Sequence, residues 1–139
     1  MMKKLNSKGF TLIELLAVII VLGVVMVVSV PNVMKTMNTA KKKSIKIYGE
    51  RIITMAQEQY TSESFENGKI YTLDNLGLTT TGDYTGCVVL NGVNTSPKFT
   101  LYLTDDAYCY NGTSQENIDT EEPTDGACLD TVKQVCQIN

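Results

Sequence analysis

The chain has 139 residues, with 12 lysines and arginines against 15 aspartates and glutamates and no histidine. That length fits one small domain plus an anchor, and the missing histidine excludes imidazole-based acid–base, nucleophile-activating and metal chemistry. The mild acidity argues against a general affinity of the folded part for nucleic acid.

Residues 1–9 carry Lys3, Lys4 and Lys8 and no acid, the composition of a signal-peptide n-region. An apolar run of 21 residues follows from Phe10 to Val30, enough to cross a hydrocarbon core of about 30 Å as a helix. No small-residue cleavage site follows the run, where an ordinary secretory signal is cut. One acid, Glu14, lies inside it. A carboxylate within a membrane helix costs about 2.5–3.5 kcal/mol on insertion scales, and a plain anchor has no reason to carry one. Glu14 is either a polar residue tolerated near the interface or a group whose charge a cation must cancel.

The series Gly9, Phe10, Thr11, Leu12, Ile13, Glu14 and the apolar run resembles the N-terminus of type IV prepilins and of the pseudopilins of type II secretion and competence systems. The resemblance covers about the first third of the chain. It implies that a membrane-embedded prepilin peptidase cuts between Gly9 and Phe10 and that Phe10 is N-methylated. Gly9, lacking a side chain, presents an extended backbone for cutting with little hindrance. The resemblance further implies that Glu14 attracts the Phe10 amine of a neighbouring subunit, and that the N-terminus faces the cytoplasm. Lysines alone do not set that orientation, because Lys35, Lys41, Lys42, Lys43 and Lys46 follow the run. Thr11 receives no role of its own. Cleavage leaves the apolar helix on the mature protein, with nine basic side chains against fifteen acidic ones.

Pro31 lacks a backbone N–H and crowds the preceding turn. It either kinks or locally melts the helix, or ends the membrane segment. Helical spacing resumes at once: Val33, Met37, Ala40, Ile45, Tyr48, Ile52, Ala56 and Tyr60 fall largely on one side of an amphipathic helix over residues 31–60. Gly23 adds flexibility or permits close helix packing. Gly49 allows close approach of a packed layer or marks a bend. Lys41, Lys42 and Lys43 read either as contacts to phosphates or anionic headgroups, or as a solvated face pairing with acids of adjacent subunits.

Residues 61–68 read as a polar loop, 69–73 as a short strand or loop, and 74–78 and 79–83 as turns. Residues 87–90 read as a strand with a turn opening at Asn91-Gly92, 98–103 as its antiparallel partner, and 107–110 as a third strand. An antiparallel meander on the helix is the simplest arrangement. Residues 111–126 read as a surface loop. Its Asp119, Glu121, Glu122 and Asp125 compose either a calcium site or a solvated loop, without the spacing of an EF-hand. Asn94-Thr95-Ser96 and Asn111-Gly112-Thr113 match glycosylation acceptors. Cys128 to Cys136 reads as a closing loop or strand.

The four cysteines, Cys87, Cys109, Cys128 and Cys136, contain no C-x-x-C pair, which speaks against zinc and thioredoxin-like chemistry. On the exported side of a membrane they are expected to form two disulfides that stiffen a small core. Three connectivities are open, and Cys87–Cys109 with Cys128–Cys136 is the one expected.

The expected fold class is α+β: a long N-terminal helix whose second half packs on a small antiparallel sheet. The expected domains are a leader over 1–9, a transmembrane and filament-core helix over 10–30, its amphipathic continuation over 31–60 and a globular β domain over 61–139. The resemblance implies a structural subunit of a helical filament, used for adhesion and motility, DNA uptake or type II secretion. Its implied partners are other copies of itself, the prepilin peptidase, an assembly ATPase with its inner-membrane platform, minor pilins, and membrane lipid before assembly. DNA is a partner the charge does not indicate. The precursor is expected in the cytoplasmic membrane and the assembled form at the cell surface or in the periplasm. No cofactor or metal is expected, and no nucleophile motif or phosphate loop nominates an enzyme. The competing reading is a monomeric membrane-anchored binding domain outside the cell.

Overall fold

A computed structural model describes residues 9–63, 66–78, 84–93, 95–105 and 107–138, with residue 93 described by its backbone alone. The expected turn over 79–83 and the sequon residue Asn94 lie outside the described residues or partly so. The elements in chain order are α1 (Leu12–Ser62), β1 (Lys69–Thr72), β2 (Thr85–Val93), β3 (Ser96–Thr104), β4 (Tyr108–Ser114), β5 (Thr124–Asp125) and α2 (Leu129–Cys136). The fold is α+β, as the sequence predicts. The chain divides into two compact units, Met1–Thr39 and Ala40–Asn139.

In the first unit every described side chain from 9 to 39 is exposed. Pro31 stands inside α1 and the helix passes through it, so the alternative that Pro31 ends the helix is overturned. The proline cannot donate to the carbonyl four residues back; one residue on, Asn32 Nδ2 donates to the carbonyl of Val28 at 3.4 Å.

In the second unit β1 to β5 form one antiparallel sheet in sequence order. Alternation sends Tyr71, Val88, Leu90, Phe99, Leu101, Leu103 and Tyr110 to one face, where they pack with Ile45, Ile52, Ile53 and Ala56 of α1. The other face offers Ile70, Cys87, Val89 and Tyr102, and α2 covers these with Val132 and Cys136. The sheet therefore has helices on both faces. The segment from Cys128 to Cys136, expected as a loop or strand, contains this second helix from Leu129 on: Val132 and Cys136 lie four residues apart, so one helical stripe carries both to the sheet.

The hairpin between β2 and β3 turns after Val93, with Val93 opposite Ser96. Asn91-Gly92 lies inside β2 and does not open the turn. The expected loop over 111–126 is shorter than the sequence implies, since β4 runs to Ser114, β5 takes Thr124–Asp125, and Ile118 is buried in the core. Between Leu101 and Tyr102 the β3–β4 register shifts, and Gly112 is the extra residue. Its φ of +79° is a conformation that glycine adopts without strain, as a bulge requires.

The disulfides are Cys87–Cys136 and Cys109–Cys128, with Cα separations of 5.7 and 5.8 Å. This corrects the expected pairing, and the reason is geometric. Cys87 lies opposite Tyr102 on β3, and Cys109 lies opposite Thr104 on β3's other edge. Two strand spacings, about 9.5 Å, separate β2 from β4, beyond the reach of a disulfide. Cys128 and Cys136 flank α2, and eight residues of helix rise about 12 Å.

Packing of α1 on the sheet begins at Ile45; Val33, Met37 and Ala40, which the spacing puts on the same side, are exposed. Periodicity gives the direction of a face and not where its cover ends. Gly49 is the point of closest approach: a Cβ there would stand 2.7 Å from Leu101 Cδ2. Of the two sequence readings the close approach holds. Gly49→Ala sets a gain of about 1 kcal/mol in helix propensity against that clash. Gly49→Val adds two methyl groups against Leu101 and is expected to cost about 1–3 kcal/mol. A urea titration followed by circular dichroism should put the midpoint of the valine variant clearly below that of the alanine variant.

Candidate assembly site at the N-terminus

The helix starts with a reciprocal cap. Glu14 Oε2 accepts from the backbone N–H of Thr11 at 2.8 Å and from Thr11 Oγ1 at 2.9 Å, while the Glu14 N–H donates to Thr11 Oγ1 at 3.3 Å. The Leu15 N–H closes the first turn on the Thr11 carbonyl at 3.2 Å. This is a capping box: a threonine before the helix and a glutamate three residues on satisfy two donors that a helix start leaves without intrahelical partners. Thr11 thus has a definite task that the sequence reading left unassigned. The signal was present, since T-x-x-E before an apolar run is the pattern of such a box.

The box fixes where the carboxylate stands. Glu14 is held toward the start of the helix, beside the residue that follows Phe10. Phe10 itself is 89% exposed, and the large apolar side chains from Leu12 to Val30 are all exposed. The helix is long and apolar enough to cross a membrane. A stripe or even a ring of this kind is not stable facing water, and its carboxylate has two hydrogen bonds from Thr11 and no countercharge among the described residues.

A family model for the prokaryotic N-terminal methylation motif matches residues 4–30. The match covers only the N-terminal segment of the chain, the part in which the sequence resembles type IV prepilins and pseudopilins. Comparisons with curated proteins and with solved structures return no match. The motif spans Gly9, Phe10, Glu14 and the apolar run, so the capping box lies inside the matched segment.

In the second unit, Lys42 of the triple lysine and the nearby Lys46 are engaged within the chain. Lys42 Nζ meets Asp125 Oδ1 at 2.9 Å and lies 5.3 Å from the centre of the Tyr108 ring. Its hydrogen bond to Asp125 is the main cause holding the ammonium pKa above its usual value. Lys46 lies 3.9 Å from Glu122 and donates to the Asp119 carbonyl. The acidic segment is thus tied down onto α1 by lysines. Among the described residues no group of three acids or cysteines is placed to hold a metal ion. Tyr110 donates from its hydroxyl to the Glu121 carbonyl, and burial, aided by Glu122, Glu50 and Glu121, pushes its pKa to about 12. Asn111 of the second sequon is exposed on β4, while Thr113 is buried.

Proposed function

We propose that the chain is the precursor of a structural subunit of a type IV pilus-like filament, not an enzyme. The observation that carries this reading is Glu14, held by Thr11 at the head of a helix whose large apolar side chains from Leu12 to Val30 are all exposed. The precursor sits in the cytoplasmic membrane with residues 1–9 inside. The peptidase cuts between Gly9 and Phe10 and methylates the new amine. The assembly ATPase and its platform then lift the helix out of lipid, and equivalent helices of other copies replace the lipid. That exchange is nearly neutral in hydrophobic energy. Register falls to packing and to the attraction between Glu14 and the Phe10 amine of a neighbour. Pro31, which removes one hydrogen bond from the ladder, is the point at which the helix bends or opens when packed. Minor pilins and the use of the fibre — adhesion and motility, DNA uptake or secretion — follow from the system that houses it, and transformation and secretion assays of a deletion strain separate the three.

Two measurements test the reading. A mass spectrum of the native protein should show a chain that begins at a methylated Phe10 and contains two disulfides; a chain beginning at Met1 overturns the processing step. Electron microscopy of sheared surface fractions should show fibres containing this protein. Gly9→Val is expected to leave essentially all of the protein as precursor on an immunoblot, because a branched side chain then stands at the scissile bond. Mature-sized protein from that variant would refute the cleavage site.

A further inference from the structure

The sheet face that α2 covers is left bare at one end. Alternation puts Thr72 and Thr85 on that face together with Cys87, since Thr72 lies opposite Cys87 and Thr85 precedes it by two. α2 has only eight residues and stops at Cys136, which its disulfide ties to Cys87. The N–H groups of Gln137 and Ile138 both close on the Lys133 carbonyl and end the helix. β1 stops at Thr72 and passes into a turn at Leu73 and Asp74. Between these two ends lies a cleft of about 340 Å³, in the size range of small-molecule sites.

Opposite charges line this cleft without meeting. Asp74 is exposed on the β1 side and Lys133 is half-buried on α2. Among the described residues neither makes an ion pair, whereas Lys42, Lys46 and Lys69 of the same unit each have an acid. The hydroxyls of Thr72 and Thr85 and the amide of Gln137 add uncharged donors and acceptors. Leu73 and Ile138 supply an apolar wall.

This lining selects by charge. An anion drawn to Lys133 meets Asp74, and a cation drawn to Asp74 meets Lys133. A wholly apolar ligand strips water from both charges and returns nothing for it. No aromatic ring lines the cleft, so a flat ring finds no stacking partner there. A ligand carrying both signs a few bonds apart satisfies both walls at once. We propose that the cleft between the ends of β1 and α2 binds a zwitterion of amino-acid or dipeptide size, its amine on Asp74, its carboxylate on Lys133 and an aliphatic side chain against Leu73 and Ile138. The site stands or falls separately from the filament reading, because no residue of the first unit contributes to it.

Equilibrium dialysis of the full-length chain in detergent micelles tests it, with L-leucine and L-leucyl-L-leucine as probes. At least one of the two is expected to bind saturably with a Kd below about 1 mM. N-acetyl-L-leucine, which lacks the amine charge, and L-leucinamide, which lacks the carboxylate, are each expected to bind at least about tenfold more weakly than L-leucine. Asp74→Asn and Lys133→Gln are each expected to weaken the zwitterion by about tenfold, with circular dichroism as the control for folding. The decisive result is a crossover: Asp74→Asn should improve the binding of N-acetyl-L-leucine, and Lys133→Gln that of L-leucinamide, a gain that loss of structure does not produce. If Lys133→Gln does not fold, Asp74→Asn decides alone by the same criterion. No saturable binding of either zwitterion up to about 10 mM, or affinities unchanged by the substitutions, overturns the site and leaves the filament reading untouched.

Discussion

Replacing Cys87 and Cys136 together by alanine is expected to destabilise the folded unit by about 4 kcal/mol, and replacing Cys109 and Cys128 by about 3 kcal/mol. The ranking comes from loop closure in the unfolded chain: the first bridge closes 49 residues and the second 19, and the entropy removed grows with the logarithm of that number. Both values are large against a typical total of about 5–15 kcal/mol. For a domain of this size each kcal/mol moves the melting temperature by about 4–8 °C, so the first variant is expected to melt on the order of 15–30 °C below the oxidised protein. Alanine is chosen because Cys87 and Cys136 sit at 0% and 1% exposure beside Val132, where a serine hydroxyl would add a burial cost of its own. The two bridges also bracket α2, one just before its first residue and one at its last. Loss of either frees one end of the helix from the sheet, which limited proteolysis near residues 128–136 should report. Equal melting temperatures for both variants, or a drop of only a few degrees in the first, would count against this account.

The sequence made the long helix and the antiparallel meander legible, because each follows from a local pattern: an apolar run and a period-two alternation. It did not make the disulfide pairing legible, because pairing depends on strand order. Cys87 and Cys109 look close in the chain, yet β3 stands between them. The helix α2 was missed for a similar reason. Its sequence, LDTVKQVC, has only two buried positions, Val132 and Cys136, too few for a period to declare itself against the short-strand alternative. The start of packing at Ile45 was hidden because Val33, Met37 and Ala40 continue the same period without a sheet to meet them. Thr11 is different. Its pattern, T-x-x-E ahead of an apolar run, is readable, and the carboxylate that carries the charge is also the one that accepts from Thr11.

The largest expected effect on assembly is at Glu14, whose proposed pairing with a neighbour's amine and observed bonds from Thr11 use the same carboxylate. Glu14→Ala is expected to be cleaved normally, since it leaves Gly9 and Phe10 unchanged, and to reduce fibre yield by more than about 100-fold. Removing one member of a buried ion pair costs about 3–5 kcal/mol, and tenfold corresponds to about 1.4 kcal/mol. The alanine alone does not say which function was lost, because it also removes the two hydrogen bonds that the carboxylate accepts from Thr11, although the bond from the backbone N–H of residue 14 to Thr11 Oγ1 stays. Two further variants divide the roles. Glu14→Gln keeps a side-chain oxygen that accepts from the Thr11 N–H and Oγ1 but carries no charge. Thr11→Val keeps the charge of Glu14 and its bond from the Thr11 N–H, and loses the hydroxyl from both of its hydrogen bonds. If the carboxylate works by neutralising a neighbour's amine, Glu14→Gln should assemble as poorly as Glu14→Ala, and Thr11→Val should lose less than tenfold. If it works only by starting the helix, Glu14→Gln should assemble like the wild type and Thr11→Val should fall toward Glu14→Ala. Fibre yield normalised to mature protein in the membrane separates these patterns, and wild-type assembly by Glu14→Gln would remove the charge from the mechanism.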